Sequence, residues 1–128
     1  MPSWNEYKLA AKERGSLALE FFVVESTPVK LPEEVKANLQ DHLAYQKSLE
    51  TAGTLAFAGP LSDSSGELMQ GKGLMIYRAE SMDHARQIAD ADPMHKSGAR
   101  SFTLRKWLVN EGSLSLNVGL STQKVSLA

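Results

Sequence analysis

A histidine and an aspartate that lie fifty positions apart are the residues of this chain best placed to do chemistry. His42 sits in Gln40-Asp41-His42-Leu43 and Asp92 in Ala91-Asp92-Pro93-Met94. On a helix turning about 100° per residue from Val35, Leu39 falls at about +40°, His42 at about −20° and Leu49 at about −40°. The imidazole therefore occupies the middle of an apolar stripe. Asp92 follows Ile88 by four residues, Ala89 by three and Ala85 by seven, which puts its carboxylate on the inward face of a later, short amphipathic helix. An acid there opposes the helix dipole, and its burial costs several kcal/mol, as an order of magnitude, unless a partner compensates. His42 is the best available partner. A carboxylate that accepts from one imidazole nitrogen fixes the tautomer and raises the basicity of the other nitrogen, which can then remove or deliver a proton. The same two side chains could instead be a buried polar contact that staples two helices together.

Other reaction types find less support. The chain has no cysteine, hence no thiolate nucleophile, disulfide or thiolate metal site. Ser62, Ser64 and Ser65 lie in a loop without a G-x-S-x-G elbow, so a serine triad is not expected. His42, His84 and His95 form no i,i+4 pair and no H-E-x-x-H arrangement, and no metal is predicted. His84 falls on the polar side of a capped helix, while His95, just past Pro93, could line a pocket mouth or be a plain loop residue. Gly71-x-Gly73 precedes a strand and does not link strand to helix, so it is no dinucleotide fingerprint, and no cofactor is predicted. Hairpin geometry accounts for these glycines better. Arg100 and Arg105 could meet an anionic substrate, or be solvated, or pair at a subunit contact. Trp4, Tyr7 and Trp107 read equally as interface anchors or ordinary core.

Length and composition set the frame for these residues. A chain of 128 residues is one domain by size, and 42% apolar with 23% charged residues describes an ordinary globular protein. A formal net charge of −1 gives no general attraction for nucleic acid or an anionic membrane. No run approaches the roughly 18 apolar residues of a membrane span, and the start of the chain lacks an apolar signal core. Together with the absence of cysteine, this predicts a cytoplasmic protein.

The elements that must position the pair follow from patterning. Ser3 and Glu6 stand in a capping-box relation, predicting a helix over 3–14 that ends at Gly15. Leu17 to Val24 reads as a strand covered on both faces, broken by Thr27-Pro28. A long helix is expected from Pro32 to about Thr51, stopping at Gly53, with Val35, Leu39, His42, Gln46 and Leu49 inward. Strands at 54–58 and 71–78 flank a turn at Gly59-Pro60 and a loop at 62–66. Ser81 caps the helix that Pro93 ends, and 100–107 forms a fourth strand. The tail alternates Leu114, Leu116, Val118 and Leu120 against small polar residues, and is expected to add to a sheet edge, in this chain or in a partner subunit, or else to form a hairpin with 100–107. The predicted fold is α+β: a ferredoxin-like βαββαβ with an antiparallel sheet, an N-terminal helix and a C-terminal strand extension. The whole of 1–128 is expected to be one domain with its core at 17–108, a helical extension at 3–14 and a strand tail at 113–120.

Several residues in this order carry a resemblance. His42-Leu43-Ala44-Tyr45, Leu49 and Gly53, Ala58-Gly59-Pro60-Leu61, Gly71-Lys72-Gly73, the Ser81 to Ala89 helix and Asp92-Pro93-Met94 resemble the YCII-related (YciI-like) family over roughly residues 17–108. The resemblance implies a dimeric α+β barrel of ferredoxin-like protomers with a His–Asp active-site pair, roles that fall on His42 and Asp92. Met94 stands where the family commonly has an aromatic, a difference that bears on the pocket lining. Tyr45, one turn along from His42, and Gly59 and Pro60 are expected to contact the substrate. The reading is a cofactor-independent homodimeric enzyme moving a proton on a small organic substrate, by elimination, isomerisation or a hydrolysis-like reaction. The alternative is a dimer that binds a small metabolite without turning it over.

Overall fold

A computed structural model of the protein describes residues 1–127. In chain order its first elements are α1 (Trp4–Glu13), β1 (Leu19–Pro28), α2 (Pro32–Ala37), α3 (Leu39–Thr51), β2 (Leu55–Ser62) and β3 (Met69–Tyr77). There follow α4 (Met82–Ala91), α5 (Pro93–Lys96), β4 (Arg100–Val109), β5 (Leu116–Val118) and β6 (Val125–Leu127). Four strands form one sheet in the order β2-β3-β1-β4. β3 pairs antiparallel with both β1 and β2, as a split βαβ repeat requires. This is the expected ferredoxin-like α+β arrangement. No helix among the described residues is long and apolar enough to cross a membrane.

The described residues fall into two compact units, 20–108, and 1–19 together with 109–127. In the larger, alternate residues of β1 point to one side, and Phe22, Val24 and Ser26 are all buried there. Phe22 and Val24 join Met75 and Tyr77 of β3 against Ala85, Ile88 and Ala89 of α4. The small alanines let α4 lie close to the sheet, and Ser81 starts the helix by accepting from the His84 amide at 3.0 Å. In the smaller unit, Ser3 and Glu6 make both bonds of the predicted capping box, and Ser16 Oγ donates to the Asn110 carbonyl at 3.1 Å.

The structure corrects four expectations. β1 begins at Leu19 because Ala18 takes a left-handed φ of 49°, and it runs on through Thr27 to Pro28. The long helix is two helices. Asn38 Nδ2 donates to the Glu34 carbonyl at 2.9 Å while its backbone N–H bonds the Val35 carbonyl, so the i,i+4 ladder is interrupted between α2 and α3. Gly59 and Pro60 do not turn the chain but lie inside β2. That strand is at the sheet edge, where a proline without N–H is tolerated, and a register irregularity follows between Pro60 and Ser62. Within this chain the tail strand pairs with the chain's own end and not with 100–107: β5 is antiparallel to β6, Leu116 opposite Leu127, and neither belongs to the four-stranded sheet. The turn between them is closed by Gly119 N to the Lys124 carbonyl at 2.8 Å, and Gln123 supplies a φ of 60°. β6 has three residues, too few for its alternation to stand out in the sequence.

Candidate active site

α3 begins just before His42, whose amide bonds the Asn38 carbonyl at 3.0 Å, and the next turn brings Gln46 onto the same face. Asp92 stands between two helices. Pro93 disfavours helical backbone at the residue before it, and Asp92 accordingly has φ −62° and ψ 125°, ending α4. The same residue caps α5, its Oδ1 accepting from the Met94 amide at 2.9 Å. The C-terminal penalty expected from sequence is therefore offset at the start of the next helix.

The two predicted residues meet. His42 Nδ1 lies 2.9 Å from Asp92 Oδ1 and 2.8 Å from Oδ2. Gln46 Nε2 donates to Oδ2 at 3.0 Å. Asp92 is fully buried while the His42 side chain is 20% exposed, so the carboxylate is shielded and the imidazole is reachable. Burial pushes the Asp92 carboxyl up. The hydrogen bonds from His42 and the Met94 amide, with the positive charge available at His42 and His95, outweigh it and hold the group below the usual carboxylate range. With Nδ1 donating to Asp92, Nε2 of neutral His42 carries the lone pair, and no described residue bonds it.

Helical spacing marks Gln46 only as part of the inward stripe, but its side chain does more. Its Nε2 also contacts Met75 Sδ at 2.9 Å, and its buried Oε1 has no partner among the described residues. Turning the amide over would aim Oε1 at the Asp92 carboxylate, so the ionised acid holds Gln46 in an orientation that leaves one acceptor unsatisfied.

A cavity of about 1270 Å³ opens beside the pair, with Leu39, Leu43 and His42 on the helical side and Phe57, Gly59 and Pro60 on β2. Gly59 and Pro60 line it. Tyr45 does not: its hydroxyl donates to the Ile88 carbonyl at 2.7 Å, tying α3 to α4. Among the described residues, no group of three or more His, Asp or Glu side chains is placed to hold a metal ion.

A second polar cluster has no signal in sequence spacing. Arg100 Nε donates to Ser26 Oγ at 2.8 Å, Ser26 Oγ lies 2.8 Å from His95 Nε2, and His95 Nδ1 lies 2.7 Å from the Ala89 carbonyl. The carbonyl accepts only, so Nδ1 carries the proton and the Ser26 hydroxyl donates to Nε2. Burial pushes the His95 pKa down; the Ala89 bond and Asp92 act upward, Arg100 and His42 downward. Because the folded value lies below the ordinary 6.5, His95 contributes stability fully present above pH 6.5 and lost as pH falls through the folded value. Thermal melting of wild type and His95→Gln from neutral to mildly acidic pH checks this. Wild type should lose melting temperature more steeply below pH 6.5, and equal slopes would remove His95 as the cause.

Residues 20–108 match the family model of the YCII-related domain. The chain belongs to the YCII-related family. This YCII-related chain is 30% identical over 66 residues to the uncharacterized protein YjpA of Bacillus subtilis (strain 168), covering 52% of this chain and 71% of YjpA. Its fold is similar to that of 5-chloro-2-hydroxyhydroquinone dehydrochlorinase (TftG) from Burkholderia phenoliruptrix AC1100, solved in complex with 2,5-dihydroxybenzoquinone. The TM-score is 0.52 at 23% identity, over 68% of this chain and 92% of that one. The YCII-related segment contains His42, Asp92 and the cavity, and leaves out α1 and the β5–β6 hairpin.

Proposed function

We propose that this YCII-related protein is a small acid–base enzyme in which His42, oriented by Asp92, moves a proton on a small organic substrate bound in the adjoining cavity. The observation that carries this reading is the divided exposure of the pair: a fully buried carboxylate bonded to Nδ1 of an imidazole that lines the cavity. In an elimination, Nε2 takes a proton from a C–H or O–H of the substrate. The electron pair left behind forms a new π bond as a leaving anion departs, and Asp92 stabilises the imidazolium. Loss of HX balances the reaction without an oxidant or a reductant. The structural neighbour is a dehydrochlorinase with a quinone bound, which agrees with this class.

The experiment is a test of hydroxylated and halogenated aromatic compounds for halide release or isomerisation by wild type and His42→Gln. Turnover by wild type that is lost in the variant supports the proposal. Binding without turnover would favour the metabolite-binding alternative.

The working form in this proposal is a homodimer joined through the sheet face that carries Phe21 and Trp107. Their rings lie 6.5 Å apart, the Arg78 guanidinium is 5.6 Å from the Phe21 ring, and Trp107 is 45% exposed. Light scattering should give twice 14.0 kDa for wild type and a monomer for Trp107→Glu. A wild-type monomer at micromolar concentration would end the dimer reading.

A further inference from the structure

Arg100 is anchored on the cavity wall entirely by neutral groups. Nε donates to Ser26 Oγ at 2.8 Å, and Nη2 donates to the Ser26 carbonyl at 2.9 Å and to the Gly71 carbonyl. Gly71 is needed for this. It has φ +97°, and a Cβ there would stand 3.0 Å from Pro28 Cγ, so the Gly71 backbone reaches the guanidinium only without a side chain. No carboxylate among the described residues pairs with Arg100; Asp92, which acts on it through space, is already bonded by His42, Gln46 and the Met94 amide. Three of the five guanidinium N–H groups are thereby used, and the two on Nη1 have no partner among the described residues. A partly buried cation held rigidly, with one edge unoccupied and no counterion, is preorganised to receive an anion.

The charge of the surrounding wall points the same way. Lys30, Lys36, Lys47 and Lys72 also line the cavity, against Glu50 as its one acid. Of the four lysines, Lys72 is paired with Glu25 at 2.9 Å. A chain with 14 basic and 15 acidic residues has no overall excess to explain this, so the positive potential is a property of the cavity.

We propose that the cavity selects a small organic anion, whose carboxylate or ionised acidic hydroxyl binds Arg100 Nη1 while its reacting hydrogen faces His42. Arg100 is thus a substrate-binding residue and Ser26 the positioning residue that fixes its plane. The assignment of the reacting hydrogen rests on the acid–base reading above; the anion site does not.

Benzoate and benzamide, alike in shape and differing in charge, are the probes, with dissociation constants measured by calorimetry or by NMR shifts of the Arg100 side-chain N–H signals. Wild type should prefer benzoate by about tenfold or more, as expected for hydrogen bonds to a charged group. Arg100→Gln should abolish the preference, and Arg100→Lys, which keeps the charge without the fork, should keep part of it. Ser26→Ala should weaken benzoate and leave benzamide unchanged. Should Arg100→Gln fail to fold, wild type still decides: benzoate must shift the Arg100 signals, and benzamide must not. Equal affinity for the two probes, a preference that survives Arg100→Gln, or one that is lost in Lys47→Gln instead would overturn the proposal. Failure of the acid–base reading is separate: the Arg100-dependent preference would persist while no turnover depended on His42.

Discussion

Asp92→Ala is expected to lower the melting temperature by about 10 °C, the largest loss from any single change in the site. The substitution leaves His42 Nδ1, Gln46 Nε2 and the Met94 amide without their common acceptor, in a place closed to water. It also removes the cap of α5. Leaving a buried donor without its acceptor costs about 1–3 kcal/mol each, and in a domain of this size each kcal/mol moves the midpoint by a few degrees. Asp92→Asn retains an N-cap acceptor and the side-chain volume, so its loss should be smaller, about 1–2 kcal/mol. Calorimetry of Asp92→Ala, His42→Ala and the double variant measures the coupling between the two residues, expected at about 1 kcal/mol or more. Additive losses would mean that the 2.8 Å contact contributes nothing specific.

Acid should mimic part of this change. The folded carboxyl titrates below its ordinary value of 3.8, so the stability that Asp92 supplies is complete above that value and lost as pH falls through the lowered one. This decline sets in below 3.8, whereas the one assigned to His95 sets in below 6.5. Asp92→Asn should remove the first and keep the second.

The other large effect is on turnover. Removing a general base lowers rates by about 100- to 10,000-fold, and His42→Gln should fall in that range, since glutamine can still bond Asp92 but has no titratable nitrogen to present to the cavity. Because the His42 side chain is partly exposed, the variant should melt within a few degrees of wild type. Asp92→Asn should also lose most activity while it folds, for an amide cannot stabilise the imidazolium that forms during proton transfer. Steady-state rates on whichever substrate wild type accepts decide the matter. Full activity in His42→Gln would remove the imidazole from the mechanism.

Much of the arrangement is written in local pattern. The 3.6-residue period puts His42 and Gln46 on one face of α3 and brings Asp92 in directly behind Ala85, Ile88 and Ala89, although the break at Asn38 takes Val35 out of that count and Asp92 itself caps α4 with extended backbone. The Ser3 and Ser81 caps and the β-α-β-β-α-β order are legible for the same reason: each depends on residues a few positions apart. Local signals mislead where a neighbour in space outweighs them. Pro60 marks a turn in most settings, yet it remains in β2 because an edge strand does not need its missing N–H. Tyr45 shares the helix with His42, but Ile88 offers its hydroxyl a carbonyl away from the cavity. Ser26, His95 and Arg100 come from three separate elements, and only the packing of α5 on the sheet joins them into one chain of hydrogen bonds. The amino-acid sequence thus determined the helices, the strands and the inward side of each; which polar groups from distant elements would share a proton or a charge was decided when those elements packed, because hydrogen bonds act over about 3 Å and no sequence spacing encodes that distance.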